Sequence, residues 1–341
     1  MMPDPKRSKA RYFQGRVWID DKDFQLVKAR GKGVPAHFPI RAKPKFMWKD
    51  YDPELNTFKR QPIARHAQVI DQRFLTSWNN KSALGIGCDS VKCYSPAYRS
   101  QPLDDRVRRG IKGKKKMSLV ELINAMEDAG TVDLRGDVVV PLALKAIRRG
   151  KRPTGELADA VGVMKDWVKA GAHRRDMDNT GEYDQADAVR IMDAWWPLLV
   201  QAQFKPTLGD GLYGTFLGGI HDAPGPVGSA FNNVTYGYVA KDLRSALGEK
   251  VRAPYSRVYC GEGKLASCSK MLQKTLMKAA GTSFESLYGS DGCELNNGTQ
   301  ASPQMCNDAV NPTDVTIAPV NEFHWINRPT FQQAVQYQRH R

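Results

Sequence analysis

Met117-Ser-Leu-Val-Glu-Leu-Ile-Asn-Ala-Met-Glu-Asp-Ala-Gly-Thr-Val-Asp-Leu-Arg-Gly136 is the stretch that decides the fold. Ser118 followed three residues later by Glu121 is a capping box, because each side chain can satisfy a backbone N–H at the start of a helix. Gly130 marks the end of that helix. Downstream the helical pattern continues. Residues 137–149 carry an early Pro141 and end at Gly150. Residues 154–171 are amphipathic, with Leu157, Val161, Met164, Trp167 and Val168 on one face. Residues 186–204 bring Ile191, Met192, Trp195, Trp196, Leu199 and Val200 together. From 209 to 233 the glycines predict a loop, and mixed short elements follow.

Upstream the signals change. Residues 67–78 suggest a strand running into Asn79-Asn80. Residues 15–28 alternate apolar and polar side chains on both sides of an Asp-rich turn, a β-hairpin pattern. Residues 1–60 hold 15 Lys/Arg and 7 Asp/Glu. That basic region is set apart as a first unit, with residues 61–341 as the second. The expected class is α+β, with a helix-rich segment in its middle.

Length and charge bound the function. The chain has 341 residues, with 41% hydrophobic and 26% charged residues. Those values exclude a disordered tail, a collagen and a disulfide mini-protein. No apolar run is long enough for a transmembrane helix. A net charge of +15 allows an anionic partner without identifying one. The basic run 106–116 contains no aromatic side chain, and a solvated loop explains it better than nucleic-acid binding.

Cysteine use points to export. The six cysteines fall in the local pairs Cys88/Cys93, Cys260/Cys268 and Cys293/Cys306. Six cysteines allow about 15 connectivities. Local pairing is expected because each pair closes a short loop among turn-forming residues. The N-terminus offers no secretory signal pattern, which conflicts with that export and suggests that the true beginning is missing.

Common catalytic motifs are few. Gly209-Asp-Gly-Leu-Tyr-Gly214 matches a dinucleotide glycine pattern but follows a helix instead of a strand. The six histidines show no ligand spacing. Asp176-Met-Asp-Asn-Thr-Gly-Glu-Tyr-Asp-Gln-Ala-Asp187 is more informative. It sets Asp176, Asp178, Thr180, Asp184 and Asp187 at calcium-loop positions, with Glu182 between them and Gly181 at the sharp turn. Structural calcium is one reading. An Asx turn capping the next helix is the other.

The cluster Trp78-Asn79-Asn80-Lys81, followed by Asp104-Asp105-Arg106, suits acyl transfer. An Asn amide can stabilise a developing oxyanion. A nearby Arg can orient that amide or bind a carboxylate. A turn Asn with a surface Arg is the plain alternative.

Several segments together are similar to the C-terminal part of the β-subunit in the penicillin acylase family. That family includes penicillin, cephalosporin, aculeacin and acyl-homoserine-lactone acylases. The resemblance lies in 73–81 (RFLTSWNNK), 98–106 (YRSQPLDDR), 117–136 as quoted above, 188–196 (AVRIMDAWW) and 325–333 (WINRPTFQQ). Residues 15–28 also resemble a hairpin of lipoprotein-carrier-like β proteins.

The acylase resemblance implies an N-terminal nucleophile hydrolase with an αββα sandwich. It implies periplasmic or secreted enzymes that cut themselves into two subunits. The Ser exposed at the β-subunit start attacks the amide, with its own α-amine as base. Asn79 matches the oxyanion-hole Asn and Arg106 the active-site Arg. Asp89 lies near the position of a family calcium ligand. The implied substrate is a small acyl amide of penicillin-like or N-acyl-lactone type, and no nucleic-acid partner is implied.

The α-subunit, the Ser and the first part of the β-subunit have no counterpart here. The chain is therefore expected to be a C-terminal fragment, inactive alone. The rival expectation is a non-catalytic protein whose basic surface contacts an anionic membrane or nucleic acid.

Overall fold

The computed structural model describes residues 12–19, 26–34, 73–76, 101–113, 116–219, 236–295 and 298–309. The chain divides into two compact units, Met1–Asp71 and Gln72–Arg341.

In the first unit, β1 (Tyr12–Ile19) pairs antiparallel with β2 (Leu26–Val34). The register runs from Tyr12 opposite Val34 to Ile19 opposite Leu26, with an irregularity between Trp18 and Ile19. The alternating pattern thus forms the expected hairpin, and its strands extend beyond the stretch that predicted it.

The second unit is mostly helical. Among its described residues the only strands are β3 (Cys293–Glu294) and β4 (Gln300–Ala301), an antiparallel pair. Together with the first hairpin this is compatible with an α+β class.

Helix α1 (Gln101–Gly110) and helix α2 (Leu119–Thr131) pack through a small apolar core of Leu103, Val107 and Ala129. The capping box forms as the sequence requires. Ser118 Oγ accepts from Glu121 N at 3.2 Å, and Glu121 Oε2 accepts from Ser118 N at 2.9 Å. After α2 the chain turns extended at Val132, which bridges to His173.

A π-turn at Arg135–Val139 then leads into α3 (Val140–Arg148). Pro141 sits in its first turn, where a missing N–H costs nothing. Helices α4 (Glu156–Lys169), α5 (Ala186–Gly219), α6 (Tyr236–Ala246) and α7 (Leu265–Ala280) complete the main core.

Helix α7 is placed by its apolar stripe. Cys268, Leu272, Leu276 and Ala279 recur at helical spacing and are fully buried. It packs on α5, where Trp195 is fully buried and donates from Nε1 to Thr275 Oγ1 at 2.9 Å. Polar groups close the layers. Asp242 on α6 accepts from Gln203 Nε2 at 2.7 Å and from the backbone N–H groups of Tyr259 and Cys260 at 2.8 Å. One carboxylate thereby ties α6 to α5 and to the turn that starts the Cys260–Cys268 disulfide.

Both described disulfides have the expected pairing, Cys260–Cys268 and Cys293–Cys306. Cys88 and Cys93 lie outside the described residues. Short helices α8 (Phe284–Tyr288) and α9 (Pro303–Asn307) flank the β3–β4 hairpin.

Four expectations are corrected. Residues 73–76 carry no strand, because their polar groups bond to the α1 region: Thr76 Oγ1 donates to the Asp104 carboxylate and Arg73 Nη2 to Ile111 O. The basic run begins inside α1, where burial of Val107 makes residues 106–110 helical.

The third correction concerns the glycines after 208. Gly209 breaks α5 with a φ of +70°, but the helix resumes to Gly219. Phe216 packs on Phe204, ring centroids 5.0 Å apart, and that burial outweighs the loop propensity of the glycines. Finally, α6 and α7 are 11 and 16 residues long, not short elements.

Candidate functional site

Arg106 faces α2 from α1. Its Nε donates to Asp128 Oδ2 at 2.9 Å and its Nη1 to Pro102 O at 3.2 Å. Its side chain is only 12% exposed, so it is a held group and not a free surface cation. Asp128 also takes Arg175 Nη1 at 3.2 Å and His173 Nε2 at 3.2 Å. Burial works against ionisation of Asp128. The hydrogen bond from Arg106 and the charges of Arg106 and Arg175 overcome it and hold the carboxyl below its usual range.

His173 behaves in the opposite sense. Burial first, then the charge of Arg175, push it down to about 4, so the ring is neutral near pH 7. Its Nδ1 meets Thr131 Oγ1 at 3.0 Å. Asp128 and His173 carried no motif signal. They come together because α2 ends at Thr131 and the chain after α4 pairs back onto it, with Arg174 N donating to Thr131 O at 2.9 Å. Arg108 is paired as well, with Asp104 at 3.8 Å. Asn79 and Asp89 lie outside the described residues.

The acidic loop is built around Asp176. Its Oδ1 accepts from Thr180 N at 3.1 Å and its Oδ2 from Gly181 N at 2.8 Å. Thr180 Oγ1 donates to Asp178 Oδ1 at 3.1 Å, and Met177 N donates to Asp184 Oδ1 at 2.9 Å. One oxygen each of Asp176, Asp178 and Asp184 lies within 4.8 Å of the others.

Of the remaining loop residues, Asp187 sits in the first turn of α5 and pairs with Arg190 at 3.4 Å. Glu182 is exposed and lines an open acidic hollow with Asp166, Asp184 and Asp187. Gly181 is required at the sharp turn: its φ is +82°, and a Cβ there would stand 1.9 Å from Gln300 O. Ser302 N also donates to Gly181 O at 2.8 Å, so the loop is fastened to the β3–β4 hairpin.

Behind this loop lies a buried ionic centre that no spacing in the sequence signals. Arg174 forks onto Asp193, with Nη1–Oδ1 at 2.7 Å and Nη2–Oδ2 at 2.8 Å. Arg135 reaches Asp133 at 2.5 Å and Asp193 at 2.8 Å. Tyr288 donates to Asp193 Oδ2 at 2.7 Å. Burial opposes the Asp193 charge, but Arg174 and Arg135 hold its carboxyl down to about 2.

The sequence model of the penicillin amidase family matches residues 27–311, and the chain belongs to that family. The family is one of amide hydrolases and implies an acyl-amide substrate. No curated protein sequence matches the chain. Among the described residues no helix is long and apolar enough to cross a membrane.

Proposed function

We propose that this chain supplies the charge-stabilising part of an acyl-amide hydrolase. Asn79 donates its amide to the oxyanion that forms on the scissile carbonyl, and Arg106 orients that amide or the substrate. The observation that carries the reading is the family match over residues 27–311, which includes both positions.

The way Arg106 is held supports its role. A guanidinium fixed through Nε to Asp128 keeps its plane oriented, as positioning a substrate or an amide requires. Asp128, itself bonded to His173 and Arg175, is then a positioning residue. The attacking hydroxyl belongs to the N-terminal Ser of a processed acylase β-subunit, assigned here to no residue. The finer architecture in this reading is the αββα sandwich, with residues 61–341 as its C-terminal part and residues 1–60 as a separate basic region. Export to the periplasm or outside the cell goes with it, and it suits the two described disulfides.

Calcium at the acidic loop is the second element of the proposal. Asp176, Asp178 and Asp184 offer hard oxygen ligands around one point, the donor set that calcium prefers. Thr180, Glu182 and Asp187 complete the proposed loop. The ion would stiffen the loop against the β3–β4 hairpin and takes no part in bond cleavage.

The test is reconstitution. The chain is joined to the upstream α-subunit and Ser-bearing segment of a family acylase and assayed on phenylacetyl and long-acyl amides. Turnover that depends on both Asn79 and Arg106 supports the reading. Turnover indifferent to both rejects it.

A further inference from the structure

The segment 293–308 docks through a buried cluster in which, among the described residues, carboxylates outnumber guanidinium groups. Asp133, Asp193 and Asp308 face Arg135 and Arg174, and all five are at most 2% exposed. Among the described residues, with every group ionised, three negative charges stand against two positive ones away from water. An uncompensated buried charge is strongly unfavourable, and such sites take up a proton instead.

The hydrogen bonds show where the proton belongs. Asp308 Oδ2 is saturated: it accepts from Arg174 Nε at 3.0 Å, Arg174 Nη2 at 2.6 Å and Tyr183 OH at 2.7 Å. Asp308 Oδ1 is buried and has no donor among the described residues. Four residues earlier, Gln304 Nε2 donates to Ala186 O at 3.1 Å and Tyr288 OH at 3.0 Å, while Gln304 Oε1 is buried without a donor among the described residues. Residues four apart on a helical turn share a face. Two buried acceptors on one helical face, each without a donor, are costly, whereas one proton on Asp308 Oδ1 makes that pair a donor and an acceptor.

We infer that Asp308 is held as the neutral acid, with its Oδ1 proton donated to Gln304 Oε1. That proton latches the Cys293–Cys306 segment onto the helical core in a pH-dependent manner. The groups facing Asp308 are Arg174 and Tyr183 from the chain between α4 and α5, and Asp193 from α5. Behind them stand Asp133 and Arg135 of the π-turn region and Tyr288 of α8. Burial pushes the Asp308 carboxyl up to about 7, opposed by Arg174 and reinforced by Asp193.

The sign follows from that direction. An unfolded Asp loses its proton near the ordinary value of 3.8, while the folded chain keeps it until about 7. The stabilisation is complete below the unfolded value and is lost as pH rises through the folded one. The latch therefore weakens towards neutral and alkaline pH.

The experiment compares the full chain with Asp308→Asn and Asp308→Ala in thermal melts from pH 5 to 8. Asp308→Asn puts an amide donor where the proton sits and keeps an acceptor for Arg174 and Tyr183. It should melt like the wild type at pH 5. Relative to it, the wild-type folding equilibrium should fall about tenfold per pH unit from pH 5 towards 7. Asp308→Ala should be destabilised throughout.

Infrared spectra of the wild type at pH 6 should show a buried carboxylic-acid band that Asp308→Asn lacks and that disappears by pH 8. Asp308→Asn melting as low as Asp308→Ala at pH 5 overturns the inference. So does a wild type without that band at pH 6.

Discussion

Arg174 grips Asp193 with both terminal nitrogens, at 2.7 and 2.8 Å, in a fully buried fork between the chain after α4 and helix α5. Removing Asp193 takes away the carboxylate that the two buried guanidinium groups of Arg135 and Arg174 share. Asp193→Ala should cost about 3–5 kcal/mol in denaturant unfolding. A loss under about 1 kcal/mol would mean that water reaches the centre.

Asn79 is the sharper of the two proposed site residues. In the reconstituted acylase, Asn79→Ala should lower kcat by about 100- to 1000-fold, as for one lost oxyanion donor. KM should change little. Steady-state kinetics on a chromogenic amide check both parameters, and unchanged kcat would remove Asn79 from the site.

Calcium should bind the Asp176 loop and stabilise the fold. At free calcium a hundredfold above Kd the gain is about 2.7 kcal/mol. Melting curves with and without a chelator measure it, and Asp178→Ala should abolish the difference. Titration calorimetry that finds the same binding in Asp178→Ala would place the ion elsewhere.

His173 sets a pH dependence opposite to that of Asp308. Its folded pKa is lowered from 6.5 to about 4. Between those values the unfolded chain binds the extra proton, so this contribution is present above about 6.5 and lost as pH falls. Relative to His173→Gln, the wild type should gain stability as pH rises from 4 to 6.5. An identical profile in the variant would show that His173 does not resist protonation in the fold.

Two glycines should respond in opposite directions to alanine. Gly261 has a φ of +59°, and a Cβ there would lie 2.1 Å from Cys268 N. Gly261→Ala should cost about 1–3 kcal/mol from the backbone alone, and more from the clash. Gly162 lies inside α4 with nothing within 4 Å of an added Cβ. Gly162→Ala should stabilise by about 0.5–1 kcal/mol. Chemical denaturation of both variants decides.

Features that rest on neighbours along the chain were legible in the residues alone. The Ser118 capping box, the amphipathic α4, the apolar face of α5 and the first hairpin are short-range patterns, and they formed where those patterns lie. The two described disulfides also close over short separations of 8 and 13 residues. The family resemblance was legible for a similar reason, since its motifs are contiguous.

Long-range packing settled the rest. The glycine-rich stretch after Gly209 became helix because Phe216 found Phe204, a contact no local propensity encodes. Asp128 was joined to Arg106 by the packing of α1 on α2, and His173 by the bridge to Val132. Arg174 and Asp308 stand 134 residues apart in the chain and 2.6 Å apart in the fold. A charge in a sequence carries no mark of burial, so which residues share one proton is settled only when the core closes around them.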